Sequence, residues 1–266
     1  VTTLHAFGDS IVVGDLDDYL HLKDPNVKPN HRMQYEARIK YLKHNVSFVS
    51  ILAKHYGYNL ENYAVRGSGN YPQLDRVWHN LANGTIKSGD VVLFGFGPVT
   101  RDRLVLQTFA FDPTVNEKTG PHLIDRELLS KENWVANGEQ PILEMDFYYI
   151  NSVLSQLGAQ FNVRMIRCNL GDNALYHASE HIRKVCEVED FVGYNTVGNT
   201  IHHILNDTWG QTIVYPFSAN LNKDLKIKAE HEYLYTYYRH PSVEGHKKIA
   251  QWWIDNNILA WHKNNT

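Results

Sequence analysis

Two residues at opposite ends of the chain are of types and placement that could serve as a nucleophile and a general base. The first is Ser10, in the stretch Leu4-His-Ala-Phe-Gly-Asp-Ser-Ile-Val-Val-Gly14. Apolar residues there feed into a glycine and a short acid, and the serine arrives where a buried strand ends and the chain turns sharply. A hydroxyl at such a turn, on the carboxyl edge of a parallel sheet, lies where open α/β folds bind ligands, and the Ser10 backbone N–H faces the same cavity. Asp and Ser are also ordinary turn and cap residues, so Gly8-Asp9-Ser10 taken alone reads more plainly as a turn or helix entrance. The second residue is His240, in His240-Pro-Ser-Val-Glu-Gly-His246. Pro241 biases His240 away from helical geometry, which places its imidazole on a loop. Behind it Ser242 caps a final helix whose apolar face carries Ile249, Trp252, Trp253 and Ile254. From that loop the imidazole is placed to reach Ser10.

The elements that must position these groups follow from periodicity. A first strand runs to about Gly8. Residues 15 to 42 form a polar segment with Asp15, Asp17, Asp18 and Asp24, read as a surface excursion that is helical from Gln34 to Leu42. Val46 to Tyr56 has helical spacing and stops at Gly57. Tyr58 to Val65 reads as a second strand leading into Arg66-Gly67-Ser68-Gly69-Asn70. Gly67 either makes a turn or lets the backbone approach a substrate closely and present an N–H to a developing oxyanion. A helix from Pro72 to Leu81 and the turn Asn83-Gly84 precede Asp90 to Phe96, an apolar strand suited to the centre of a parallel sheet. Its carboxyl end, with Gly97, Pro98, Thr100 and Arg101, should rim the same cavity as Ser10.

Residues 102 to 140 break the alternation and read as an insertion whose aromatics pack it down or cover the cleft. Ile142 to Leu157 suits an amphipathic helix, Asn162 to Cys168 a fourth strand and Gln211 to Pro216 a fifth. His177 and His181 sit one turn apart beside Glu180, a spacing that can hold a metal, but no third ligand accompanies them and a surface helix is the plainer reading. His202-His203 is a weaker candidate still. No metal or organic cofactor is expected. The alternation of strands and helices predicts a flavodoxin-like, three-layer α/β/α fold with a mostly parallel five-stranded sheet, and 1–266 as one domain.

Composition bounds the function. The chain has 266 residues, 43% hydrophobic and 21% charged, with a formal net charge of −3. That balance suits one large α/β domain and gives no general reason to expect nucleic acid or an anionic membrane as partner. Cys168 and Cys186 fit neither a disulfide scaffold nor a zinc pattern, and read as buried thiols. No leader and no membrane-spanning run is visible, so a soluble mature chain is expected.

The chain resembles the SGNH or GDSL-type hydrolases, a family of esterases and lipases. Three blocks carry the resemblance in the family's order: Gly8-Asp9-Ser10, Asn62-Tyr-Ala-Val-Arg-Gly67, and His240-Pro-x-x-x-Gly-His246. The resemblance implies Ser10 as nucleophile, His240 as base, and the backbone N–H groups of Ser10 and Gly67 as oxyanion donors. Two blocks depart from the family's pattern. Asp90-Val-Val-Leu-Phe-Gly-Phe-Gly97-Pro-Val-Thr-Arg101 lacks the usual Asn, which leaves Thr100 or Arg101 as an oxyanion donor or a contact for an anionic part of the substrate. Tyr237 stands where the family's acid usually precedes the histidine, so a backbone carbonyl, Glu232 or Asp224 becomes the alternative orienter of His240. The expected substrate is a small-molecule or glycan ester, an acetylated sugar above a long-chain lipid. A relative that kept the fold, lost the chemistry and binds carbohydrate is the alternative.

Overall fold

A computed structural model describes residues 1–16, 30–97, 140–170, 191–192, 201–207, 229–236 and 240–260. Its centre is a parallel sheet of four strands: β1 (Thr3–Phe7), β2 (Asn59–Asn62), β3 (Val91–Phe96) and β4 (Arg164–Asn169). They lie in the order β2-β1-β3-β4, with Leu4 opposite Leu60 on one side and Val91 on the other. Of the five strands expected, four are full strands among the described residues, and the fifth place beyond β4 is held by the two-residue strand Phe191–Val192, parallel to Arg167 and Cys168. The expected fifth strand, Gln211 to Pro216, lies outside the described residues, as do the insertion at 102–139, His177, His181 and Cys186.

The helices are α1 (Ser10–Val13), α2 (Asn30–Asn45), α3 (Phe48–Tyr56), α4 (Asn70–Ala82), α5 (Gln140–Phe161), α6 (Ile201–Leu205) and α7 (Val243–Asp255), with a 3-10 turn at Ala229–Leu234. Several ends follow from local chemistry. The Ser47 hydroxyl accepts from Ser50 N at 3.2 Å to open α3, and Gly57 closes it in the left-handed conformation at φ 68°. Ser242 caps α7 as expected, accepting from Gly245 N at 3.2 Å. Other boundaries moved. Helix α2 begins at Asn30 rather than Gln34, and α5 runs to Phe161 rather than Leu157. Strand β2 stops at Asn62, although Tyr63 N and Val65 N still donate to Ala6 O and Gly8 O at 2.8 and 3.0 Å.

Alternate residues of β1, β3 and β4 feed two apolar clusters, as the period of two requires. Leu4, Ala6, Val91, Leu93, Ile166 and Cys168 meet Phe48 and Leu52 of α3, Ile204 of α6, and Ile249 and Trp253 of α7. Phe7, Val92, Phe94, Phe96 and Met165 meet Leu74, Val77 and Leu81 of α4, and Ile150, Leu154 and Leu157 of α5. Every residue of β3 is buried, which explains its unbroken apolar run. Cys168 is a buried free thiol, its pKa driven far up by burial and by the Asp9 charge. Among the described residues no helix is long and apolar enough to cross a membrane.

The order of strands matters for the site. From β1 the chain first turns outward to β2 and then crosses to β3 on the other side of β1. The carboxyl ends of β1 and β3 therefore flank the point where the winding reverses, the place where open α/β sheets leave a crevice.

Candidate active site

Ser10 stands at that point because of what precedes it. A Cβ on Gly8 would lie 2.2 Å from Val12 Cγ2, so only glycine lets α1 fold back over the end of β1. Asp9 then caps the helix, its Oδ1 accepting from Ile11 N at 3.0 Å. Ser10 is the first residue of the helix, so its N–H lies outside the helix's own hydrogen bonding. Gly8-Asp9-Ser10 is thus both a helix entrance and a device that sets a hydroxyl at a strand end.

The histidine arrives from the far end of the chain. His240 Nε2 lies 2.9 Å from Ser10 Oγ, across 230 positions of sequence. A tight corner holds it there. Tyr235 and Pro241 form an antiparallel bridge, Thr236 N donates to His240 O at 2.8 Å, and His240 N donates to Thr236 Oγ1 at 3.2 Å. Ser242 fastens the same corner to the 3-10 turn, its N donating to Leu234 O at 2.8 Å and its hydroxyl to Tyr233 O at 2.7 Å.

Two loops flank the serine. The first turns at Arg66-Gly67, where Ser68 N donates to Val65 O at 3.1 Å and Gly67 takes a φ of 65°, a left-handed value that side chains disfavour. This turn is fixed to α1 at several points. Arg66 pairs with the carboxylate of Asp15, whose own N donates to Ser10 O at 3.0 Å. Asn62, the first residue of the second family-like block, donates from Nδ2 to Val12 O at 2.9 Å and accepts from Ala64 N at 3.1 Å. The second loop follows β3. There Gly97 N donates to Asn70 Oδ1 at 2.9 Å, and Asn70 Nδ2 donates to Gly97 O at 3.1 Å.

The electrostatics keep the neighbouring imidazoles neutral. His202 on α6 is pushed down to about 4 by burial, then by the charges of His203 and His240, with Asp9 opposing. His246 in α7 is pushed down to about 3 by burial and by His240. It accepts from Phe48 N on Nδ1 at 3.3 Å, so the neutral ring carries its proton on Nε2. His203 falls to about 4 through burial alone. Among the described residues no group of three or more His, Cys, Asp or Glu side chains is arranged to hold a metal ion.

Of the residues the sequence singled out, Ser10 and His240 come together, and Gly67 sits in a turn tied to the end of β1. The Glu232 side chain is exposed on the 3-10 turn, and its backbone carbonyl accepts from Tyr235 N at 3.1 Å. Thr100, Arg101, Tyr237 and Asp224 lie outside the described residues. Sequence reasoning missed Asn70 and the Asp15–Arg66 pair. It read Asp15 as part of a surface excursion, whereas the residue is fully buried. It also placed His202 only as a weak metal candidate.

No family model matches the chain, and no curated protein matches it. Among solved structures the chain is similar to a "putative GDSL-like lipase" from Parabacteroides merdae ATCC 43184, at 16% identity over 96% of this chain and 94% of that one, with a TM-score of 0.43.

Proposed function

We propose that the protein is a serine esterase of the SGNH type, an atypical member built as one three-layer α/β/α hydrolase domain over 1–266 with an insertion at about 102–140. The observation that carries this reading is the 2.9 Å contact between Ser10 Oγ and His240 Nε2 at the winding reversal of the sheet. Ser10 Oγ attacks the ester carbonyl carbon while its proton passes to His240 Nε2. The tetrahedral intermediate collapses, the C–O bond to the alcohol breaks, and the departing oxygen takes the proton from Nε2. Water then attacks the acyl-serine, gives a proton to the same nitrogen, and the second collapse returns that proton to Ser10 Oγ as the carboxylic acid leaves. The N–H groups of Ser10 and Gly67 are the proposed oxyanion donors, with Thr100 or Arg101 as a third. No step calls for a metal or an organic cofactor.

The proposed substrate is an O-acetylated carbohydrate. Supporting it are the polar loops and aromatic side chains of the sequence, which suit sugar faces better than a lipid chain. A second reading, a carbohydrate-binding relative with little or no catalysis, draws on Tyr237 in the place of the family's acid and on the missing Asn after β3.

A fluorophosphonate probe separates the two. Covalent labelling is expected in the native chain and absent in Ser10→Ala, with ester hydrolysis falling by a factor of roughly 10³ or more in that variant. No labelling of the native chain beside an active control hydrolase would replace the esterase reading with the binding one. Acetate release from acetylated glycans should exceed turnover of aryl esters of growing chain length, and faster turnover of the long chains would overturn the choice of substrate.

A further inference from the structure

We propose that Tyr235 is the positioning residue for His240, and that it is held in place by His202 of α6 and by Asn206, the residue that follows that helix. The proposal rests on the reading of Ser10 and His240 as the reacting pair. Its basis is a chain of contacts reaching from α6 to the imidazole. The Tyr235 side chain is buried, and its ring lies parallel to that of His202, 5.8 Å between centroids and 13° between planes. Its phenol oxygen accepts from Asn206 Nδ2 at 2.8 Å. The same Nδ2 donates to His202 O at 3.0 Å, so both of its protons are used. One ring is therefore gripped twice, across its face by a residue of α6 and at its tip by the residue four positions further on.

The backbone of Tyr235 passes that grip to the site. Tyr235 bridges Pro241, and the next residue, Thr236, makes both hydrogen bonds that bracket His240. Helix α6 is itself anchored, since Lys248 of α7 donates to Leu205 O at 3.0 Å. Rotation of the Tyr235 ring would shift the Tyr235–Thr236 backbone and swing the imidazole away from Ser10. Proton transfer is sensitive to such shifts, because displacements of about 1 Å can cost about 10²-fold in rate. His202 suits the role chemically: burial lowers its pKa to about 4, so near neutral pH it stacks on the tyrosine without placing a second cation beside an imidazole that must accept a proton. A tyrosine that merely filled the core would have no use for its hydroxyl. Here the hydroxyl is the point of attachment.

The test compares Tyr235→Phe, Asn206→Ala and a control, Tyr58→Phe, which loses a hydroxyl bonded to Leu259 O at 3.2 Å, a bond shared with none of the residues around His240. Four readouts are taken: fluorophosphonate labelling rate, kcat and KM on an aryl acetate, melting temperature, and the His240 imidazole signals in proton–nitrogen correlation spectra. Tyr235→Phe and Asn206→Ala are expected to lower kcat and labelling about tenfold with KM within about twofold, and to move the His240 signals. Tyr58→Phe should change neither. Should both site variants keep native kcat and unmoved His240 signals, the proposal is overturned, whatever happens to the melting temperature. If one variant fails to fold, the other decides. Absence of labelling in the native chain defeats the esterase reading separately, and the imidazole signals still report whether Tyr235 holds His240.

Discussion

A buried carboxamide that both donates to and accepts from the backbone of one glycine fixes the two peptides on either side of it, and Asn70 does this to Gly97 at the end of β3. Asn70 is itself fully buried, so water does not readily take over either bond. Replacing it with alanine leaves a buried N–H and a buried carbonyl without that partner, each worth about 1–3 kcal/mol when unsatisfied. Asn70→Ala is expected to lower unfolding stability by about 2–4 kcal/mol in a urea titration, with the midpoint falling at unchanged slope. An undiminished midpoint would mean that the loop after β3 is held by something else. The residue was invisible in the sequence for a physical reason. An asparagine after Gly67-Ser68-Gly69 looks like turn material, and its partner lies 27 positions away, just past the end of β3. Ser10 and His240 were legible because their neighbours carry the signal: a glycine at a strand end in one case, a proline and a cap in the other. Their types announce the chemistry even though only the fold brings them within 2.9 Å.

At the scale of elements, the short helix α1 and the Gly67 turn share apolar packing through Val12 and Ala64, and polar contacts tie them further. Asp15 is wholly buried, while the Arg66 side chain is 17% exposed, so the pair gains from a low local dielectric yet bears the cost of removing a carboxylate from water. Truncating one partner of such a pair costs about 3–5 kcal/mol. Asp15→Ala should therefore destabilise the protein by that order, and should also lower kcat, since the turn bearing Gly67 loses its tie to the helix bearing Ser10. Measurement of kcat well below the melting range separates the two effects, and a full kcat there would show that the turn keeps its place without the pair. The sequence revealed most elements through periodicity and two of their ends through caps: Gly57 closes α3 and Ser242 opens α7, whereas the Ser47 cap emerged only in the structure. It misjudged residue 15 because acids crowd the stretch that follows. Composition reports an average over a segment, whereas burial is decided residue by residue. Strand β2 came out shorter than Tyr58 to Val65 because its last residues still bond to β1 without completing a ladder.

The molecule as a whole carries a set of imidazoles that folding strips of water. In the unfolded chain these groups take up a proton near 6.5, whereas in the fold His202 and His203 do so at about 4 and His246 at about 3. Between those values the unfolded state binds more protons than the folded one, so the stability these residues contribute is complete above about pH 6.5 and is lost as the pH falls. Each such proton contributes about 1.4 kcal/mol per pH unit to the slope. Further down Asp90 adds to the loss. Burial raises its pKa, but hydrogen bonds from Lys87 N and Thr3 N, together with His5, outweigh burial and hold the carboxyl below its usual value. His202 keeps some contact with solvent, so His203 and His246 should dominate the steep part of the curve. His246 offers the sharpest test because its ring is fully buried, stacked on Phe48 with planes 6° apart. His246→Leu removes the group that must stay neutral and also the acceptor for Phe48 N, so the variant should lose about 1 kcal/mol or more at pH 7. Its stability should nonetheless fall less steeply toward pH 4, by about one proton's worth of slope, in urea midpoints taken at half-unit intervals. Parallel curves for the two proteins would mean that His246 gains its proton as readily folded as unfolded, which a ring sealed between α3 and α7 could not do without opening the core around Phe48 and Trp253.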